Sequence, residues 1–203
     1  MVTATSGTEE QKPSVRELRR LETRARLYDA AIEEISSRGL AGADVTAIAN
    51  TAGVVRGTFY FHFPTKEHVL VELQRNEERA IVADLARAHL APDDLEAALT
   101  LLVRRVLGAR KRLGTVVFQD MLGLHFSSSR PVEDEFAEHP VAQLLVELIT
   151  AAQNSGRVAA SADAVELAMF FGTGLFALLA TGSHDMTVLN RYVTTILKGI
   201  ETR

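Results

Sequence analysis

VTAIANTAGVVRGTFYFHFPTKE, residues 45 to 67, is the stretch whose reading decides the fold of this chain. Val45, Ile48, Ala49 and Ala52 recur at helical spacing, which predicts a short helix with one buried face. Gly53 follows at once, where a chain reversing between two helices needs positive φ without a Cβ clash. Val54 is expected to tuck under that corner, and Phe59 and Phe63, four residues apart, give a second short helix its buried side. Ala49, four residues before the glycine, is small enough to let the two helices cross closely. This is the helix-turn-helix pattern, in which the second helix lies in the major groove of DNA.

The side chains left over point the same way. Arg56, Thr58, Tyr60, His62 and Lys66 are hydrogen-bond donors within one turn and helix, with no carboxylate before Glu67. Such groups bond phosphate oxygens and base edges. The plain alternative is a helical hairpin with a solvated polar face. Against it stand the buried pattern and the aromatic residues set beside the basic ones in place of Glu–Lys pairs.

The run AIANTAGVVRGTFYFHFPTKEHVL resembles the DNA-binding signature of the TetR (tetracycline-repressor) family of bacterial transcriptional regulators. The matching residues are Ile48-Ala49, Ala52-Gly53-Val54, Gly57-Thr58, Tyr60, His62-Phe63 and Lys66-Glu67. With the helix before it, the resemblance covers about the first third of the chain; the remainder agrees only in length and helical character. Val55 departs from the pattern: the family usually carries Ser or Thr there, as N-cap of the recognition helix, and valine has no hydroxyl to cap with. The resemblance implies DNA contacts by Arg56, Thr58, Tyr60, His62 and Lys66, a phosphate contact by Thr46, and close backbone approach at Gly57. It also implies that the helix after the motif transmits ligand binding to the head.

Composition agrees with an all-helical chain. Of 203 residues 47% are hydrophobic, enough for a sizeable core, while Pro is scarce and Cys absent, so disulfides and thiolate metal sites are excluded. The N-terminus lacks the apolar core of a secretory signal, and the longest apolar run, Ala164 to Ala180, is interrupted by Glu166, Gly172, Thr173 and Gly174. A cytoplasmic protein with no membrane partner is expected. Net charge is −4, unevenly distributed. From Ser14 to Lys66 eight basic residues face six acidic ones, and beyond Lys66 thirteen face eighteen, so the DNA-binding end is the basic end.

Along the chain, residues 1–13 read as a disordered tail, 14–66 as the DNA-binding domain, and 67–203 as a ligand-binding and dimerisation domain. A helix is expected from Val15 to Arg38, with Leu18, Leu21, Ala25, Tyr28, Ile32 and Ile35 as its apolar stripe and Gly39 as its stop. Arg16, Arg19, Arg20 and Arg24 lie off that stripe, either reaching towards DNA or balanced by Glu17 and Glu22. Thr65 opens a long fourth helix to about Leu90. Further helices are expected from Leu95 to Leu107, closing at Gly108 or in the basic run to Arg112, then from Thr115 to Leu124, Pro140 to Asn154, Ala164 to Ala180, and after Gly182 to the end.

No catalytic motif or paired catalytic carboxylates occur, and neither an enzymatic role nor a cofactor is expected. Gly172-Thr173-Gly174-Leu175-Phe176-Ala177 formally matches a dinucleotide-binding loop but has no preceding strand. No metal site is expected, although His125 and His139 could converge in space. The segment Thr115 to Phe126 mixes apolar groups with Gln119, Asp120 and His125, the make-up of a small-molecule pocket and equally of a core helix. The family resemblance favours a cavity, lined by Val117, Phe118, Met121, His125, Phe126 and Phe170. The last two helices look too apolar for a surface. A homodimer interface through Ala168, Gly172, Phe176, Leu189, Tyr192 and Ile196 is expected there.

The reading is an all-α transcriptional repressor: a three-helix head, a C-terminal bundle for sensing and dimerisation, a palindromic DNA operator, and release by a small, largely apolar effector. The alternatives are a helical hydrophobic-ligand-binding protein without a DNA role, and an activator of the same fold.

Overall fold

The computed structural model describes residues 14–91, 94–132 and 138–201. The expectation for residues 1–13 lies outside them. Among the described residues the regular elements are helices, joined by one isolated antiparallel bridge between Val158 and Glu201.

The head is built from α1 (Val15–Gly42), α2 (Val45–Thr51) and α3 (Arg56–His62). Ser14 caps α1 by accepting from the Glu17 N–H at 3.2 Å. The predicted stop at Gly39 is real: its φ of 71° and ψ of 163° break the helix, and only a short turn follows to Gly42. Asp44 caps α2 by accepting from Thr46 N–H at 2.8 Å, and those backbone N–H groups hold its carboxylate below the usual range. Gly53 has φ of 70°, and the Val54 N–H then returns to the Ala49 carbonyl at 3.0 Å, closing the turn. Leu27, Ala30, Ala31, Ile48, Ala52, Phe59, Phe63 and Val69 form the head core, with the Phe59 and Phe63 rings 5.7 Å apart.

The expected stripe of α1 needs correction at its start. Leu18 and Leu21 are 45% and 47% exposed and Ala25 is exposed; the buried face begins at Leu27. Periodicity is present in these first turns, but Leu18, Leu21 and Ala25 remain exposed.

The long helix α4 (Lys66–Arg87) belongs to head and body alike. Val69 packs in the head, whereas Leu70, Val71 and Leu73 join Ile35, Ala43, Val117 and Leu124 in a second cluster at the junction. Arg24 forms a two-pronged ion pair with Glu72, and its guanidinium lies 4.5 Å from the centre of the Phe63 ring. This tie fixes α1 against α4.

The body contains α5 (Leu95–Leu113), α6 (Thr115–His125), α7 (Pro140–Asn154), α8 (Ala164–Ala180) and α9 (Met186–Ile200). α8 packs on α7 and α6, α9 lies along α5, and α4 touches α5, α6 and α7. Leu102, Phe118, Leu145, Phe171 and Leu175 are among the largest fully buried side chains there. α5 does not close at Gly108 but runs on to Leu113. A helical glycine costs about 1 kcal/mol, and burial of Val106 and Ala109 on either side outweighs it. Gly114, with φ of 80°, is the actual stop. No helix among the described residues is long and apolar enough to cross a membrane.

Close approach of the last two helices rests on Gly174, off the small-residue row at Ala164, Ala168 and Gly172. A Cβ at Gly174 would overlap the Tyr192 hydroxyl and sit 3.0 Å from Tyr192 Cζ. That hydroxyl donates to the Phe171 carbonyl at 2.7 Å, and burial pushes its pKa up to about 12. Gly174→Ala should therefore cost about 1–3 kcal/mol, read as a lower denaturation midpoint. Tyr192→Phe in the same chain should recover part of it, because the worst overlap is with the hydroxyl.

Candidate functional site

α3 presents one face to the outside. Arg56 and Tyr60 are exposed, and Arg56 Nη2 donates to the Tyr60 hydroxyl at 3.3 Å with the guanidinium over the ring. The two side chains thus hold one another extended from the surface. Thr46 is exposed at the start of α2, and Thr58 is half-buried. A Cβ added at Gly57 would meet nothing of the protein within 4 Å, so packing within the subunit does not require glycine there. His62 is half-buried, and its pKa is lowered by burial and by Arg20 and Arg24. At neutral pH it offers a neutral imidazole, not a cation.

Two features of this face escaped the sequence. Phe61 is 74% exposed and Val55 75% exposed, both on the side of α3 away from the head core. An apolar residue inside a signature of buried apolar residues carries no mark of facing outward. Val55 is indeed an N-cap without a side-chain hydrogen bond. Lys66 is placed differently from its expected role. Its ammonium donates to the carbonyls of Ala41 at 3.0 Å and Ala43 at 3.2 Å, bracing the α1–α2 connection, which leaves one N–H for anything outside. In the basic cluster of α1, Arg24 is engaged with Glu72 and Arg20 pairs with Glu17 at 3.2 Å.

On the far side of α4 lies a narrow cleft with a cavity volume of about 20 Å³, bounded by α4, α5, α7 and α8. A second lobe of about 30 Å³ adjoins it, sharing Gln74, Glu78, Val106, Val141 and Phe176. Of the expected lining residues, Phe118 and Met121 lie along the second lobe and His125 along the first. Three expected lining residues do not. Val117 is buried in the junction cluster, Phe126 is 50% exposed, and Phe170 is 56% exposed on the outer side of α8. Asp120 also turns away, accepting from the Leu40 N–H at 2.6 Å beside the Gly39 break.

The interface expectation needs the converse correction. Ala168 and Leu189 are wholly buried within the subunit, and Gly172 and Phe176 line the cleft. Tyr192 and Ile196 pack against the body core. The exposed apolar stripe of α8 is instead Val165, Met169 and Phe170, continued by exposed Thr173 and Ala177. α8 is apolar nearly all round, so periodicity could not orient it.

Of the polar groups in the cleft wall only His125 was among the expected lining residues; His139, considered for convergence with His125, lines the same cleft, and Gln74 and Glu78 were not anticipated. Gln74, Glu78 and His139 are buried, 6%, 5% and 3% exposed. Glu78 accepts from Gln74 Nε2 at 2.7 Å and lies 3.0 and 3.1 Å from His139 Nδ1. It also receives the Val141 N–H at 3.4 Å, so a carboxylate on α4 caps the N-terminus of α7. Arg75 on α4 pairs with Glu138 at 3.0 Å beside it. Arg130 Nη2 lies 3.4 Å from His139 Nε2, which fits an imidazole with its proton on Nδ1, towards Glu78. Hydrophilic residues on a helix read as solvated, and only the fold brings α7 over Gln74 and Glu78. Among the described residues no three His, Cys, Asp or Glu side chains gather as a metal site requires.

The geometry is matched by likeness to known proteins. Residues 27–73 match the family model described as bacterial regulatory proteins, tetR family. The transcriptional repressor KstR of Mycolicibacterium smegmatis is 34% identical over 91 residues, 45% of this chain and 45% of its own. The fatty acid metabolism regulator protein of Bacillus subtilis is 43% identical over 47 residues, 23% of this chain and 24% of its own. The chain thus spans less than half the length of these curated relatives. The solved structure of the Thermus thermophilus repressor FadR with lauroyl-CoA superposes with a TM-score of 0.71 at 20% identity, covering 86% of this chain and 91% of that one, a likeness of fold. Through its helix-turn-helix head, residues 27–73, the chain is similar to the bacterial regulatory proteins of the tetR family, and its all-helical fold is that of their solved structures.

Proposed function

We propose that this protein is a ligand-responsive transcriptional repressor that binds a palindromic operator as a homodimer and is released by a small, largely apolar effector. The observation that carries the proposal is the position of α4. It begins inside the DNA-binding head and ends in the wall of an apolar cleft, as one unbroken helix. The head comprises residues 14–66 and the sensing and dimerisation domain 67–203. Arg56, Tyr60, Thr58, His62, Thr46 and the open backbone at Gly57 meet the DNA, with Lys66 contributing its remaining N–H. Phe61 is suited to an apolar contact with a thymine methyl group. The dimer forms through the outer stripe of α8, Val165, Met169, Phe170, Thr173 and Ala177, which explains a surface that a monomer would pay to expose.

An effector filling the cleft between α4 and α7 strains the Glu78–His139 tie and tilts α4, so that the two heads no longer fit successive major grooves about 34–36 Å apart. It acts only through its higher affinity for the tilted state. The fatty-acid and acyl-CoA connections of the relatives accord with an apolar occupant of this kind.

The test is binding of the purified protein to its own upstream DNA at several salt concentrations. If Arg56 neutralises one phosphate per protomer, Arg56→Ala should flatten the slope of log K against log salt by about 1.8 in a dimer. Lys66→Ala should show a smaller change in slope and a lower melting temperature, because two of its N–H groups brace the fold. Unchanged slope for Arg56→Ala would remove α3 from the interface.

A further inference from the structure

A second groove, of about 300 Å³, lies on the opposite face of α5 from the cleft, between α5 and the start of α9. Arg104, Arg110, Lys111 and His184 line it, with Leu107 and Met186 as its apolar floor, and no carboxylate contributes to the lining. The cations here differ from the others on the same helix. Arg105 pairs with Asp84 at 3.3 Å and Arg112 with Glu77 at 2.6 Å, both on α4. Arg104, Arg110 and Lys111 have no ion pair among the described residues. Arg110 Nε and His184 Nε2, which are closed off from solvent beneath this lining, also lack a hydrogen-bond partner among the described residues.

Cations in the last turn of a helix gain from its dipole, which accounts for Arg110 and Lys111 being basic. It does not account for Arg104, nearly two turns earlier, nor for His184 arriving from the α8–α9 turn. Three like charges around one groove repel, and buried donors without acceptors are costly. An anion bearing several acceptor oxygens would relieve that repulsion.

We propose that this groove is a binding site for a small phosphate-bearing molecule, with Arg104, Arg110 and Lys111 as charge partners and His184 as a further hydrogen-bond partner. A diphosphate supplies the oxygen count and charge that three converging cations match. The site is separate from the apolar cleft and from the α3 face, so it does not depend on the assignment of either. DNA backbone offers the same phosphate chemistry. The groove belongs to the body between α5 and α9, and α3 already presents the face suited to a duplex, so a free phosphate compound is the occupant argued here.

The test is calorimetric titration of the full-length protein with inorganic pyrophosphate at low salt. Wild type should bind one pyrophosphate per chain, and Arg110→Gln with Lys111→Gln should weaken binding by about tenfold or more. Arg105→Gln with Arg112→Gln removes the same charge from the same helix at paired positions and should leave affinity within about twofold. No saturable binding by wild type would overturn the proposal. So would equal losses in the two double variants, which would reveal only diffuse attraction. Repeating the titration with a saturating duplex separates the sources: a site for a free phosphate compound still takes pyrophosphate, whereas occlusion by the duplex would assign the groove to DNA and overturn the small-molecule reading.

Discussion

Replacing His139 with Leu should destabilise the protein by about 3–5 kcal/mol. The substitution leaves the Glu78 carboxylate in the body with Gln74 Nε2 and a long contact from Val141 N–H as its partners among the described residues. A buried charge stripped of its companion keeps its desolvation cost and loses its attraction. The melting temperature should fall by roughly 10 °C. Replacing the pair, Glu78→Met with His139→Leu, should return part of that stability: the two apolar groups need no partner, while Gln74 Nε2 and the Val141 N–H lose their acceptor. A double variant as unstable as the single would place the damage in packing, not in the buried charge. The double variant also isolates the functional part of the tie. With folding restored and α4 no longer held polar-to-polar against α7, effector-free protein should bind its operator more weakly, since nothing but apolar contact then resists tilting. Unchanged operator affinity and unchanged effector response would remove Glu78 from the transmission path while leaving the cleft in place.

Phe59→Ala should remove the head and spare the body. Phe59 is fully buried and packs on Phe63 within a head core of eight buried residues. Truncating it should cost about 3–5 kcal/mol, and little of that core remains to compensate. The body core, around Leu102, Phe118, Leu145, Phe171 and Leu175, shares no buried residue with it. Hydrogen exchange should accelerate across α1 to α3 while amides of α5, α6 and α8 remain protected. DNA binding should vanish, whereas an apolar dye should still enter the cleft. Uniform acceleration through all the helices would mean that the clusters fold as one cooperative unit, coupled through the junction residues Leu70, Val71 and Leu73.

What the sequence determined by itself was everything fixed by short-range spacing. Gly53 must reverse the chain, Phe59 and Phe63 must share a face, Gly39 must end a helix, and Asp44 must cap the next, because each depends on residues within four positions of it. The same holds for the donors of α3: a segment with this turn and these buried positions leaves Arg56 and Tyr60 no direction but outward. Tertiary structure decided what periodicity cannot orient. α8 is apolar on nearly every side, so only its packing on α6 and α7 revealed that Ala168 and Gly172 face inward and that Phe170 faces out. Lys66 looked like a free cation until the α1–α2 connection came within 3.0 Å of its ammonium. Nothing in the spacing of Gln74 and Glu78 marks them as buried; His139 and α7, more than sixty residues away in sequence, close over them. Local geometry is written in neighbouring residues; which face of an apolar helix meets solvent, and which charge meets a partner, is settled only when distant segments arrive.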